Sequence, residues 1–186
     1  MQVNVLEGGF EDAPIDAAKA FRAVMTSMAR PGVIGRVGGA HPPAPLSVAA
    51  GVVLLTLCDP DTPVYLGKSH DNTAVRNWIA FHTGAPVVDA ADAMFAVGVW
   101  ADLPRDSFRV GTAEYPDRSA TLIVEVDALD NAGATLRGPG IKDSTQLSLP
   151  DPAVFQDNAA QFPLGLDFMF TCVDRLAGLP RTTRVS

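Results

Sequence analysis

Apolar residues recur at helical spacing in two stretches of the chain. A spacing of three or four positions predicts an amphipathic helix over Asp16 to Arg30, which ends at Pro31-Gly32. Its predicted apolar face consists of Phe21, Val24, Met25 and Met28. The same spacing predicts a second amphipathic helix over Asp71 to His82, which ends at Gly84. Its predicted apolar face consists of Val75, Trp78, Ile79 and His82.

Other segments are apolar without interruption. The length and the alanines of Leu46 to Leu57 favour a buried helix over a strand, although periodicity does not distinguish the two. A short helix is predicted over Pro152 to Gln161. Strands are predicted over Val64 to Leu66, Met94 to Trp100, Ala120 to Val126, Thr135 to Arg137 and Leu166 to Val173. Because unbroken apolar strands are typical of buried sheets, we expect one α/β domain over residues 1–186, a three-layer sandwich around a mixed central sheet.

Composition and charge narrow the class of protein. The chain of 186 residues is 47% hydrophobic and 19% charged, and this apolar surplus predicts association with another subunit. A net charge of −7 without any basic run excludes a nucleic-acid partner held through its phosphates. The longest apolar run, Ser47 to Cys58, is shorter than the about 20 residues that span a bilayer. The first 13 residues lack the pattern of a signal peptide, so we expect a cytoplasmic protein without a membrane partner.

The glycine-rich segment LRGPGI, Leu136 to Ile141, is a candidate loop for an anionic ligand. A phosphate-binding loop requires a following Lys-Ser/Thr pair and a helix, and Lys142-Asp143-Ser144 is the nearest approximation. A tight turn after a strand is therefore the favoured interpretation. Arg137 and Lys142 remain candidate ligand-binding residues, because cationic side chains match phosphate or phosphonate oxygens.

A second polar segment, EYPDRSATLI, places Arg118 before a predicted strand. We expect a turn with an ion pair between Asp117 and Arg118, and Arg118 is a third candidate ligand-binding residue. A nucleophilic role for Ser119 lacks support, because the segment has no G-x-S-x-G elbow.

The histidines and cysteines do not form a metal-binding motif. His41 and His70 are each favoured as ordinary surface or capping residues, with a role as general acid or base as the alternative. His82 suits the end of its helix. Cys58 and Cys172 lie in apolar surroundings and are predicted to be buried thiols.

Several segments together resemble one known family, and they extend over essentially the whole chain. These segments are FRAVMTSMARPG, LLTLCDPDTPVYL, FHTGAP, YPDRSATLI, LRGPGI, FPLGLDFMF and LPRTTRV, in this order. The set resembles the PhnH family of the bacterial carbon–phosphorus lyase system. The resemblance implies a fold similar to that of pyridoxal-phosphate-dependent transferases, without the cofactor. Among Lys19, Lys68 and Lys142, only Lys142 is a credible Schiff-base candidate, so we expect no cofactor.

The resemblance also implies a function within an assembly. Proteins of this family are expected to act with the other core subunits in forming ribose 1-methylphosphonate 5-triphosphate from ATP and methylphosphonate. The resemblance implies that radical cleavage of the C–P bond belongs to another, iron–sulfur-bearing subunit, and the two distant cysteines of this chain agree with that expectation. The leading hypothesis is a subunit that is not catalytic alone and is a homodimer when isolated. The alternatives are a component that itself binds ATP or phosphonate in its own active site, and a small pyridoxal-phosphate enzyme.

Overall fold

The computed structural model describes residues 7–186. Its four α-helices are α1 (Ala13–Ala29), α2 (Val48–Leu57), α3 (Thr73–His82) and α4 (Pro152–Ala160). The strands are β1 (Gly35–Arg36), β2 (Val64–Leu66), β3 (Phe95–Val99), β4 (Thr121–Glu125), β5 (Ala134–Arg137), β6 (Thr145–Leu147), β7 (Asp167–Cys172), β8 (Arg175–Leu179) and β9 (Arg184–Val185). No helix within residues 7–186 is long and apolar enough to cross a membrane.

Six strands form a mixed sheet in the order β1-β8-β7-β4-β3-β2. The neighbouring strands β2, β3, β4 and β7 run parallel, whereas β8 is antiparallel to both β7 and β1. A second, antiparallel sheet has the order β6-β5-β9. The predicted mixed α/β class is therefore confirmed.

Alternate residues of the central strands enter two cores on opposite faces of the six-stranded sheet. Ile123 of β4 and Met169 of β7 pack in a core with residues of α1, α2 and α3. Leu122 of β4 and Phe168 of β7 point the other way and pack with α4 and the small sheet. This two-sided burial explains why the central strands are apolar without interruption.

The first helix is confirmed, but only two of the four residues of its predicted apolar face, Val24 and Met28, pack in the core. α1 begins at Ala13, and Phe21 and Met25 are 51% and 53% exposed. The fully buried residues are the predicted Val24 together with Ala20 and Ser27, which were not predicted. Small residues are needed there because α1 packs closely on β8, where a Cβ added to Gly178 would lie 2.6 Å from the backbone oxygen of Ser27. Backbone proximity therefore decides which side of this helix is buried.

The other predicted helices are confirmed. Ser47 caps α2 by accepting a hydrogen bond from the Ala50 N–H, and Asn72 caps α3 by accepting one from the Val75 N–H. α3 ends before Gly84, which has a φ of +71°. Strands β1, β6 and β9 were not predicted because they have only two or three residues. Strand β8 was not predicted because arginine and glycine interrupt its apolar residues.

Candidate functional site

Polar residues gather where the parallel strands end. Because β2, β3, β4 and β7 run in the same direction, their carboxyl ends meet at one edge of the sheet, the edge at which open α/β sheets bind ligands. The residues there that contact one another are called the carboxyl-edge cluster. They are Ser47, Ser69, His70, Asp102, Glu125 and Thr171.

His70 is the central residue of the cluster. It follows β2 in a turn and is 2% exposed. Its Nδ1 lies 2.9 Å from the hydroxyl oxygen of Ser69, and its Nε2 lies 3.8 Å from Oε1 of Glu125. The Nε2 atom is buried and has no hydrogen-bond partner. An unpartnered buried nitrogen costs free energy of folding, unless its contact with Glu125 shortens when a ligand binds. The imidazole is therefore held between a hydroxyl and a carboxylate.

Glu125, the last residue of β4, joins three elements. Its Oε1 accepts a 2.7 Å hydrogen bond from the Ser47 N–H at the start of α2. Its Oε2 accepts a 3.1 Å hydrogen bond from the buried Thr171 hydroxyl of β7. The start of α2 and the Thr171 hydroxyl therefore fix the position of the Glu125 carboxyl group beside His70.

Ser69 is the exposed member of the cluster. Its backbone N–H donates a 2.7 Å hydrogen bond to Oδ2 of Asp102, in the turn after β3. Hydrogen bonding from Ser69, first through its side chain and then through its backbone, lowers the pKa of the Asp102 carboxyl below its usual value. Glu125 also lines an open cavity of about 420 Å³, together with Trp100, Val126 and Leu149.

The LRGPGI segment is a turn. Gly140 has a φ of +81°, and a Cβ added there would lie 1.9 Å from the backbone oxygen of Ala29 at the end of α1. The chain continues into β6, not into a helix, so the helix N-terminus that a phosphate-binding loop needs is not supplied by the following element. The favoured interpretation, a tight turn, agrees with this geometry.

The three predicted ligand-binding residues are exposed, and none belongs to the carboxyl-edge cluster. Arg137 ends β5 and lies directly opposite Arg184 of β9. Within residues 7–186, the side chains of Arg137, Arg184 and Lys142 form no hydrogen bond or ion pair with one another or with other residues. Arg118 packs over the ring of Tyr115, with its Cζ 4.1 Å from the ring centroid. Its expected ion pair with Asp117 does not form, because the guanidinium stacks on the aromatic face instead.

Sequence reasoning underrated His70 and did not consider Glu125. The preference for an ordinary surface or capping role is wrong for His70, which is buried and contacts the cluster. The available signal was Glu125 at the end of the apolar strand ATLIVEV, since a charged residue that ends a buried strand often belongs to a functional site.

Cys58 and Cys172 are buried free thiols, as predicted, and burial raises the pKa of Cys58 to about 12. Residues 7–186 contain no metal-binding group of three or more His, Cys, Asp or Glu side chains.

Comparison with known proteins assigns the family. The family model "Bacterial phosphonate metabolism protein (PhnH)" matches residues 8–186. The chain belongs to the PhnH family. One PhnH relative, "Alpha-D-ribose 1-methylphosphonate 5-triphosphate synthase subunit PhnH" of Rhizobium meliloti (strain 1021), is 46% identical over 198 residues, which cover 99% of this chain and 97% of the relative. "Putative C-P lyase subunit protein HtxG" of Stutzerimonas stutzeri is 29% identical over 199 residues, which cover 97% and 96%. The resemblance to PhnH is confirmed.

Proposed function

We propose that this protein is a subunit of α-D-ribose 1-methylphosphonate 5-triphosphate synthase and serves the breakdown of phosphonates by the C–P lyase pathway. The observation that carries the proposal is 46% identity to the named synthase subunit over 99% of the chain. Identity of 46% over nearly the full length of both chains supports a shared role as well as a shared fold. The chain then acts as one 1–186 domain of a cytoplasmic transferase and lyase system, together with the other core subunits.

The proposed role is to provide a surface for partner subunits, with no catalysis by the isolated chain. Phe21 and Met25 lie one helical turn apart on the outside of α1, and each is about half exposed. Neighbouring exposed apolar side chains of this size are typical of an interface. We assign this face of α1 to a partner subunit, and to a second copy of the chain in a homodimer when the protein is isolated.

The proposal extends to the fold. A sheet covered on one face by α1, α2 and α3 and on the other by α4 and the small sheet supports the three-layer sandwich and its likeness to pyridoxal-phosphate-dependent transferases. Lys142, the credible Schiff-base candidate, is exposed in the turn before β6, which is unlike the enclosed pocket such a lysine needs. The proposal therefore includes no bound cofactor.

A second candidate function, binding of ATP or phosphonate by this subunit, is favoured by one observation. Arg137 and Arg184 are directly opposite each other on antiparallel strands, and both are exposed. Like charges in such a cross-strand pair repel, and within residues 7–186 no acidic side chain compensates them. An anionic group placed between the two guanidinium groups would remove this repulsion. Arg118 and Lys142 are further candidates for contact with the ligand.

The two functions are separated by an assay of adenine release from ATP and methylphosphonate. The purified chain should be inactive alone and should be required for full activity when the partner subunits are present. Adenine release by the isolated chain at the rate of the complex contradicts the non-catalytic role. For the second candidate, calorimetry should show weaker ATP binding by R137A and R184A, with assembly unchanged. A lack of ATP and phosphonate binding by the unmodified protein refutes that candidate.

A further inference from the structure

We propose that the carboxyl-edge cluster contains an activated nucleophile, in which the Ser69 hydroxyl attacks an uncharged ester, His70 accepts its proton and Glu125 positions the imidazole. This activity is separate from the proposed role in phosphonate metabolism. The argument rests on the order of the three groups, on the exposure of the serine alone, and on the charges around it.

The order of the groups is that of a nucleophile, a base and an orienting carboxylate. The Ser69 oxygen lies 2.9 Å from Nδ1 of His70, within hydrogen-bond distance of a base. On the opposite side of the ring, Nε2 is 3.8 Å from Glu125, which is itself held by Ser47 and Thr171. Hydrogen bonds of this kind are often long in free enzymes and shorten in the reactive complex.

Exposure distinguishes the nucleophile from its supporting residues. Ser69 is open to solvent, whereas His70 is 2% exposed and the Glu125 side chain is 11% exposed. A substrate can therefore reach the hydroxyl, while the base and the carboxylate stay in a region of low dielectric. A structural histidine would be expected to use both ring nitrogens, yet Nε2 of His70 has no hydrogen-bond partner.

Asp102 accepts a hydrogen bond from the Ser69 hydroxyl as well as from its backbone N–H, so the single hydroxyl proton turns from Asp102 to Nδ1 of His70 for the reaction. The hydrogen bonds that it accepts from Ser69 lower the pKa of Asp102, and a carboxylate with a lowered pKa is a weak base. Imidazole is the common general base near neutral pH. The proton of Ser69 therefore moves to Nδ1 of His70 when the hydroxyl oxygen attacks.

The charges around Ser69 indicate an uncharged substrate. The carboxylates of Asp102 and Glu125 lie close to the serine and histidine, and Lys68 is the neighbouring cation in the turn. Asp71 and Arg76, which follow in the chain, are paired with each other. A phosphate dianion would be repelled by this arrangement, whereas the carbonyl of a carboxylic ester would not.

The reaction is balanced with water as the second reactant. The Ser69 oxygen forms a bond to the carbonyl carbon, its proton passes to His70, and the bond from that carbon to the alcohol oxygen breaks. The alcohol leaves with the proton from His70. Water then attacks the acyl-serine by the same route, which releases the acid and restores the serine.

The test compares p-nitrophenyl acetate with p-nitrophenyl phosphate as substrates of the full chain. We expect ester hydrolysis by the unmodified protein, and a loss of about 100-fold or more in kcat/KM for S69A and H70Q, the usual range for a positioned base. E125Q should lower kcat and shift its pH profile, which a purely structural role would not do. S144A and H41Q, changes at an exposed serine and an exposed histidine outside the cluster, should retain full activity.

A covalent probe keeps the test independent of folding defects in H70Q. Diisopropyl fluorophosphate should modify the peptide that contains Ser69 in the unmodified protein, with loss of fluoride, and should not modify it in S69A. Because Ser69 is exposed, S69A should keep the melting temperature of the unmodified protein. Equal ester hydrolysis by S69A, no modification of Ser69, or faster hydrolysis of the phosphate than of the acetate would overturn the proposal.

Discussion

Removal of the Glu125 carboxylate should destabilise the protein, because this side chain satisfies donors from two other elements. In E125A the Ser47 N–H loses a 2.7 Å hydrogen bond and the Thr171 hydroxyl loses one of 3.1 Å. Hydrogen bonds to charged groups contribute about 1.5–3 kcal/mol each, so the two together set an upper range of about 3–6 kcal/mol. Thr171 retains a longer 3.4 Å contact with the Val124 carbonyl, and Ser47 is half-buried, so water can reach its N–H. We therefore expect a loss of about 3 kcal/mol in the free energy of unfolding, the lower end of that range.

E125Q is the more informative variant. Its amide oxygen can replace one carboxylate oxygen as an acceptor but not both, so we expect a loss of about 1–1.5 kcal/mol. Urea unfolding followed by circular dichroism measures both losses, and an unchanged m-value would show that the unfolded state is comparable. E114A, at an exposed glutamate, serves as the matched control and should stay within about 0.5 kcal/mol of the unmodified protein.

The reasoning on Glu125 would be refuted by either of two results. One is an E125A protein within about 1 kcal/mol of the unmodified protein, which would mean that its hydrogen bonds contribute little. The other is an equal loss in E125Q and E125A. A double-mutant cycle with T171V isolates the contact between Glu125 and Thr171, and a coupling energy of about 1 kcal/mol is expected.

Three further predictions concern other parts of the chain. Burial raises the pKa of Cys58 from 9.0 to about 12, so the contribution of the protonated thiol to stability is complete below pH 9 and is lost as the pH rises towards 12. The free energy of unfolding should fall by up to about 1.4 kcal/mol per pH unit between these values, and C58A should remove this slope. In G140A the free energy of unfolding, measured in urea, should fall by about 2 kcal/mol or more, because a positive φ and the Ala29 oxygen both oppose a Cβ at this position. G38A is the control and should lose far less, because nothing lies within 4 Å of the added Cβ. F21E should fold with an unchanged melting temperature but co-purify poorly with partner subunits, and normal co-purification would contradict the interface assigned to α1.

The parts of the fold that sequence predicted are those set by local patterns. α3 was predicted with its end and with Val75, Trp78 and Ile79 on its buried side, because an apolar spacing and a glycine stop lie within one short segment. β2 was predicted with its observed bounds, because a turn precedes it and its residues are apolar. Local information is sufficient for such elements.

The errors arose where the packing of side chains decides the outcome. The buried side of α1 depends on the close approach of β8, which the spacing of Phe21 and Met25 along the helix cannot reveal. Arg118 was expected to pair with the adjacent Asp117, but it stacks on Tyr115. In the first case a strand distant in sequence decides which residues are buried, and in the second an aromatic ring three positions away is the preferred contact.

The carboxyl-edge cluster could not be predicted from sequence either. His70 and Glu125 are 55 positions apart and meet only because β2, β3 and β4 are parallel neighbours. The sequence shows a histidine after one apolar strand and a glutamate at the end of another, but it does not show the order of the strands in the sheet. The predicted ligand residues Arg118, Arg137 and Lys142 stay predictions that the binding measurements above will test.

The beginning of α2 has a consequence for the order in which the chain folds. Its first amides are bound by Glu125, 78 residues away, and by the Val173 carbonyl at the β7–β8 hairpin. The helix itself contains glycine and valines, which are weak helix formers, and no charged residue. A peptide of residues 46–58 should therefore be largely unstructured in water, and α2 should become ordered only after β4 and β7 have paired. Kinetic measurements on variants of α2 would then show accelerated unfolding with little change in the rate of folding.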